Sequence, residues 1–197
     1  MKNIARSLLV VSLLAGAGLT SQAAFAAIPT PVGSLPSTWQ PLVIKSDSEG
    51  GFTSTFGNNF NTGLNKTFSD SYTFTVGGPA GAAASVSAPW TRTQDVYIGS
   101  FGIYDASTNA LVIGGINRVP GSDSPKTDDW WTLPADATLQ AGNYYLKVTG
   151  QVLSKSGGSY AGSLNVTAVP EAETYAMLLA GLGMIGFVGR RKAKQAA

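Results

Sequence analysis

Acid–base chemistry near neutral pH would have to rest on carboxylates in this chain, because its 197 residues include no His and no Cys. Imidazole bases, metal–imidazole sites and thiolate nucleophiles are thereby excluded, as is a disulfide framework. Glycoside cleavage needs two acids facing each other across a cleft. Asp128 and Asp129 are adjacent, so on a strand they point to opposite faces. They close the turn-rich stretch RVPGSDSPKTDDWW and read as solvated loop acids that cap a strand beginning at Trp130. Calcium would require Asp123, Asp128 and Asp129 to curl around one ion, and no EF-hand-like spacing supports that. The expectation is a non-enzymatic chain with no catalytic residue, no metal and no cofactor.

Binding has better candidates. Trp39, Trp90, Trp130, Trp131, Tyr97, Tyr104, Tyr144, Tyr145 and Tyr160 are many aromatics for one domain. The neighbours Trp130-Trp131 and Tyr144-Tyr145 must each send one ring inward and one outward if they lie on strands. An outward ring at Trp130 or Trp131 can stack on a sugar, giving a carbohydrate-binding module, or pack against a cross-strand neighbour. The sequence leaves both open.

Charge narrows the partners. Six of the thirteen basic residues lie at the two ends, Lys2 and Arg6 at one, Arg190, Arg191, Lys192 and Lys194 at the other. Between residues 27 and 169, seven basic residues face nine acids, leaving −2. No central basic patch exists for nucleic acid, which is not an expected partner.

The elements that position these residues follow from local pattern. MKNIARSLLVVSLLAGAGLTSQAAFAA has two basic residues, an apolar run and a small-x-small exit at Ala24-Phe25-Ala26. It reads as a signal peptide over 1–26, with the Sec translocon and signal peptidase as partners. A Pro-rich lead over 27–40 should be extended and partly disordered. From 41 to 168 the texture is β: PLVIK (41–45), GFTSTFG (51–57), FSDSYTFTV (68–76), AAASVSA (82–88), DVYIGSFGIYD (95–105), ALVIGGI (110–116), WWTL (130–133), NYYLKVTG (143–150) and GSLNVTAV (162–169). Turn residues separate these runs. The fold class is all-β, a single antiparallel β-sandwich, jelly-roll-like, with a signal helix and a C-terminal transmembrane helix outside it.

One run carries an anomaly. In FSDSYTFTV, Phe68, Asp70, Tyr72, Phe74 and Val76 share one face and the hydroxyls the other. Asp70 is a carboxylate on the apolar side, so it must be bonded or paired. It reads as a turn-capping or backbone-bonding Asp where the strand begins, or as a cation ligand. The pattern Phe68-x-Asp70-x-Tyr72-x-Phe74 resembles the FxDxF-type motif of small exported bacterial proteins with a PEP-CTERM tail, with Tyr at the third position. LQAGNYYLKVTGQVLSKSGGSYAGSLNV (139–166) resembles the closing hairpin of that group and of pre-peptidase-type jelly-roll sandwiches. That resemblance implies a turn at Ala141-Gly142, with Tyr144, Leu146 and Val148 facing inward.

The C-terminal stretch 169–194, VPEAETYAMLLAGLGMIGFVGRRKAK, has an order of its own. A Pro-Glu pair precedes an uncharged run over 174–189, and a basic cluster follows. The run reads as a short transmembrane helix whose basic flank stays cytoplasmic. The order resembles the PEP-CTERM sorting tail of Gram-negative bacteria. The resemblance implies a membrane-embedded exosortase as partner, with Val169, Pro170, Glu171 and Ala172 as its recognition and cleavage site. Arg190, Arg191 and Lys192 correspond to the cytoplasmic anchor. The family pattern has Pro where this chain has Ala172. The expectation is an exported surface or extracellular-matrix protein, transiently membrane-anchored and associated with exopolysaccharide.

Overall fold

A computed structural model describes residues 27–119, 121, 124–169 and 176–185. The signal segment, the Pro170-Glu171-Ala172 motif residues and the Arg190-Arg191-Lys192 anchor lie outside them. Among the described residues, thirteen strands form two sheets. They are β1 (Gly33–Ser34), β2 (Thr38–Pro41), β3 (Lys45–Ser46), β4 (Phe52–Phe60), β5 (Lys66–Val76), β6 (Ala80–Ala88) and β7 (Val96–Asp105). Then come β8 (Leu111–Gly114), β9 (Ile116–Asn117), β10 (Asp129–Thr132), β11 (Thr138–Leu139), β12 (Gly142–Val152) and β13 (Gly158–Ala168). The first sheet runs β1–β5–β12–β7–β8 with β2 also on β5, and the second runs β3–β4–β13–β6–β10–β9 with β11 also on β6.

Period-two alternation builds both inner faces. On β5 Phe68, Asp70, Tyr72, Phe74 and Val76 are buried, as the pleat requires. On β6 Ala80, Ala82, Ala84, Val86 and Ala88 are buried, and their small side chains leave room for rings from facing strands. Rings interlock between the sheets: Phe56 lies 5.2 Å from Tyr72, Phe60 4.7 Å from Phe68, and Phe68 stacks on Tyr160 at 5.5 Å. Leu146, Val148 and Val152 of β12 are fully buried. A bulge on β7 sets Gly150 opposite Ile98 after Thr149 opposite Ser100. A Cβ at Gly150 would meet the Tyr97 carbonyl at 2.0 Å and the Phe68 ring at 2.7 Å, so only glycine fits there.

Three expectations need correcting. The Pro-rich lead over 27–40 is extended but not loose, since β1 and β2 pair parallel to β5, with Trp39 opposite Ser71. These strands edge the sheet, where Pro41's missing N–H is tolerated. They also make the sandwich mostly rather than wholly antiparallel. PLVIK is not one strand: β2 ends at Pro41, residues 42–44 cross to the second sheet, and β3 starts at Lys45. Leu42 is buried at the crossing, so the apolar run marks a passage over the core edge. Asp70 sits in the middle of β5, not where a strand begins.

Residues 176–185 are helical, within the span expected as a transmembrane helix over 174–189. Among the described residues no helix is long and apolar enough to cross a membrane. The helix exposes Met177, Leu178, Leu179, Leu182, Met184 and Ile185.

Candidate functional site

Asp70 is 1% exposed and accepts from three side chains. Thr38 Oγ1 donates at 2.5 Å, Asn58 Nδ2 at 2.9 Å and the Tyr160 hydroxyl at 2.5 Å. Tyr160 lies 2.8 Å from the Tyr72 hydroxyl, which donates to the Gly57 carbonyl at 3.0 Å. With the Tyr160 proton committed to Asp70, the single Tyr72 proton serves either Gly57 or the Tyr160 oxygen. Thr38 belongs to β2, Asn58 to β4 and Tyr160 to β13, so one carboxylate of the first sheet grips the edge strand and the facing sheet. Burial drives the Tyr160 phenol far above its ordinary value, and the Asp70 bond adds to that. Burial also raises the Tyr72 phenol. Both phenols therefore stay protonated as donors at neutral pH. Two of the motif's other residues flank the hub: Phe68 stacks on Tyr160 and Phe74 on Tyr144.

The remaining carboxylates are spent separately. Asp129 is buried and accepts the Ile98 amide at 2.9 Å, whereas exposed Asp128 accepts the Trp90 amide at 2.7 Å. The two point to opposite sides, as their adjacency dictates. Asp95 is buried and accepts the Lys126 amide at 2.8 Å, and burial raises its carboxyl despite that bond. Asp105 accepts from the Ser107 and Thr108 hydroxyls and amides, which lower its carboxyl to about 2. No group of three acids able to hold a metal occurs among the described residues, and Asp123 lies outside them.

The aromatic pairs split as the pleat demands. Trp130 points outward and is 49% exposed, whereas Trp131 is half-buried against the core. Tyr144 joins the core, its hydroxyl donating to the Gln140 carbonyl at 3.1 Å. Tyr145 lies on the outer face of the first sheet yet is only 4% exposed. Trp39 covers it at 4.9 Å, Tyr104 stacks on it at 5.3 Å, and Lys147 Nζ sits 5.6 Å from the Tyr104 ring centroid. Outward aromatics here are thus partly consumed by packing on one another. Sequence reasoning missed Trp39 as a cover, and Thr38, Asn58 and Tyr160 as partners of Asp70. Those partners lie 32, 12 and 90 residues away, beyond any local pattern.

Val169, the first residue of the C-terminal stretch, is the last described residue before the helix at 176–185. It is 52% exposed, and its amide donates to the Pro79 carbonyl at 2.9 Å. The β13 ladder ends one residue earlier, at Ala168 paired with Ala80. A family model of the PEP-CTERM protein-sorting motif matches residues 168–192, so the chain carries that motif where β13 stops. A search of curated proteins finds no match. Among solved structures, the pre-peptidase C-terminal domain of collagenase from Bacillus anthracis aligns with 66% of this chain and 94% of that one. The identity is 16% and the TM-score 0.37.

Proposed function

We propose that this chain is an exported protein which an exosortase recognises through residues 169–172, cuts, and delivers to the cell surface or extracellular matrix. The observation that carries the reading is the sorting motif over residues 168–192. Its start coincides with the end of β13 at Ala168, so a cut after the domain removes no strand from either sheet. In this reading the helical run over 176–185 belongs to a transient membrane anchor, and Arg190, Arg191 and Lys192 hold its cytoplasmic end. The mature part is a non-enzymatic matrix component associated with exopolysaccharide. Supporting that, the recesses of about 280, 310, 420 and 440 Å³ that the described residues form carry no carboxylate in their lining. Asp70, the most buried carboxylate among the described residues, is committed to holding the sheets together.

The test is the C-terminal mass of the protein recovered from cells with and without the exosortase. Loss of residues beyond the Pro170-Glu171 motif only where the enzyme is present is the expected result. A protein that keeps Arg190 to Lys194 in both strains would overturn the sorting reading.

A further inference from the structure

On the outward face of the second sheet the register aligns one hydroxyl from each of four strands. Thr55 of β4 lies opposite Ser163 of β13, Ser163 opposite Ser85 of β6, and Ser85 opposite Thr132 of β10. At about 4.8 Å between strands this straight ladder spans roughly 14 Å, its step close to the length of one sugar ring. Two shallow grooves, of about 420 and 310 Å³, meet on it and share Ser163 and Asn165 as lining. Among the described residues, the side chains of Thr55, Ser85 and Ser163 make no bond across this face, so each offers a donor and acceptor lone pairs to solvent.

Charge marks the two ends. Lys45 lines the first groove, and Arg118 Nε donates to Thr132 Oγ1 at 2.7 Å beside the second. Lys45 lies on the edge strand β3 and the Arg118 guanidinium rests on Thr132 of β10, so the two cations bracket the ladder across four strand spacings, about 19 Å. No residue lining either groove is acidic. Two exposed carboxylates lie close along the chain: Asp136 in the loop after Leu133, and Asp47 two residues after Lys45, which accepts the Glu49 and Gly51 amides. Trp130 shares the outward face, opposite Ser87.

We infer that this face binds an extended glycan chain bearing carboxylates, laid across the strands with its hydroxyls on the ladder and its carboxylates at Lys45 and Arg118. The complementarity is twofold: hydroxyls that both donate and accept meet a polyhydroxylated chain, and cations at the two ends meet its acid groups. A second copy of this chain is a poorer occupant, because the ladder offers hydroxyls where a self-interface core needs apolar surface. Nucleic acid is poorer still, since its phosphates demand a row of cations rather than two. This inference deepens the matrix reading above and rests on it.

The test is titration of the full chain, held in non-ionic detergent, with a soluble polyuronate, and with dextran as the neutral comparison. The polyuronate is expected to bind, with affinity falling about tenfold in the Lys45→Gln/Arg118→Gln double variant and on raising salt. Ser163→Glu puts a carboxylate on the exposed floor and is expected to abolish binding without moving the unfolding midpoint. Lys147→Gln, on the opposite sheet, is expected to change nothing. Equal binding of dextran, or a Ser163→Glu variant that binds as well as the parent, would overturn the inference. So would a dimer in solution that Ser163→Glu dissociates, which would make the face a self-interface. C-terminal masses from the same cells separate the two readings: a correctly cut protein that ignores the polyuronate overturns only the glycan site.

Discussion

Replacing Asp70 by Ala withdraws one acceptor from three donors at once. Each buried donor left unpaired costs about 1–3 kcal/mol. Tyr160 is 2% exposed and bears the full cost, whereas Thr38 and Asn58 are half-buried and recover part of theirs from water. The total expected is about 3–5 kcal/mol, the range found when one partner of a buried charged network is removed. Asp70→Asn keeps the volume and one oxygen. Its amide nitrogen can face Thr38, whose hydroxyl turns to accept, so only the charge-assisted part of the bonds is lost, about 1–2 kcal/mol. Urea unfolding followed by Trp emission reads the sandwich alone, because all four Trp residues, at 39, 90, 130 and 131, lie within it. Trp39 adjoins Thr38, so its emission should also shift red at low urea if β2 loosens. The cycle with Tyr160→Phe should show a coupling of about 1–2 kcal/mol between the two residues. Additive losses, or an Asp70→Ala loss below about 1 kcal/mol, would refute the hub.

Acid titration of two variants should give opposite signs. Asp105, lowered from 3.8 to about 2 by its Ser107 and Thr108 bonds, contributes stability above 3.8 that is lost as pH falls toward 2. Asp105→Asn should therefore unfold at lower urea than the parent at pH 7, with the gap closing over that window. Asp95 is raised by burial, so its ionised form costs stability that is regained as pH falls through its elevated value, and the parent should gain on Asp95→Asn as pH drops. A pH-independent gap for either variant would contradict the assigned cause. Trp131→Ala should cost about 2–3 kcal/mol in urea unfolding, and Trp130→Ala less than about 1 kcal/mol, since only Trp131 packs on the core.

Local pattern made most of the strands legible. FSDSYTFTV lies inside β5 with the expected parity, and the runs at 82–88, 95–105 and 143–150 each fall on an observed strand. What failed did so for physical reasons. PLVIK has the composition of a strand but spends its apolar residues bridging two sheets, which no single-strand period can signal. The Pro-rich lead has the composition of a linker, yet a parallel edge strand needs only extended backbone and a free edge on β5. The site was less legible than the fold. Asp70 stood out because a carboxylate interrupted an apolar face, but its partners are set by sheet pairing over 32 and 90 residues. The choice between Trp130 and Trp131 depended on which face of β10 meets the core, and the pair itself is symmetric.

The position of β13 ties the fold to the sorting motif. This C-terminal strand is not an edge: it lies between β4 and β6, paired with β4 from Gly158 to Val166 and with β6 from Ala161 to Ala168. It also carries Tyr160, which bonds Asp70 across the sandwich. A strand held on both sides and through its middle cannot peel away when the chain beyond it is pulled or cut, because its release would break two ladders at once. A terminal edge strand would offer no such protection, since a membrane-tethered end could strip it with one ladder. In the proposed reading, a tail that follows a central strand directly is cut by the membrane enzyme without unfolding the domain before it.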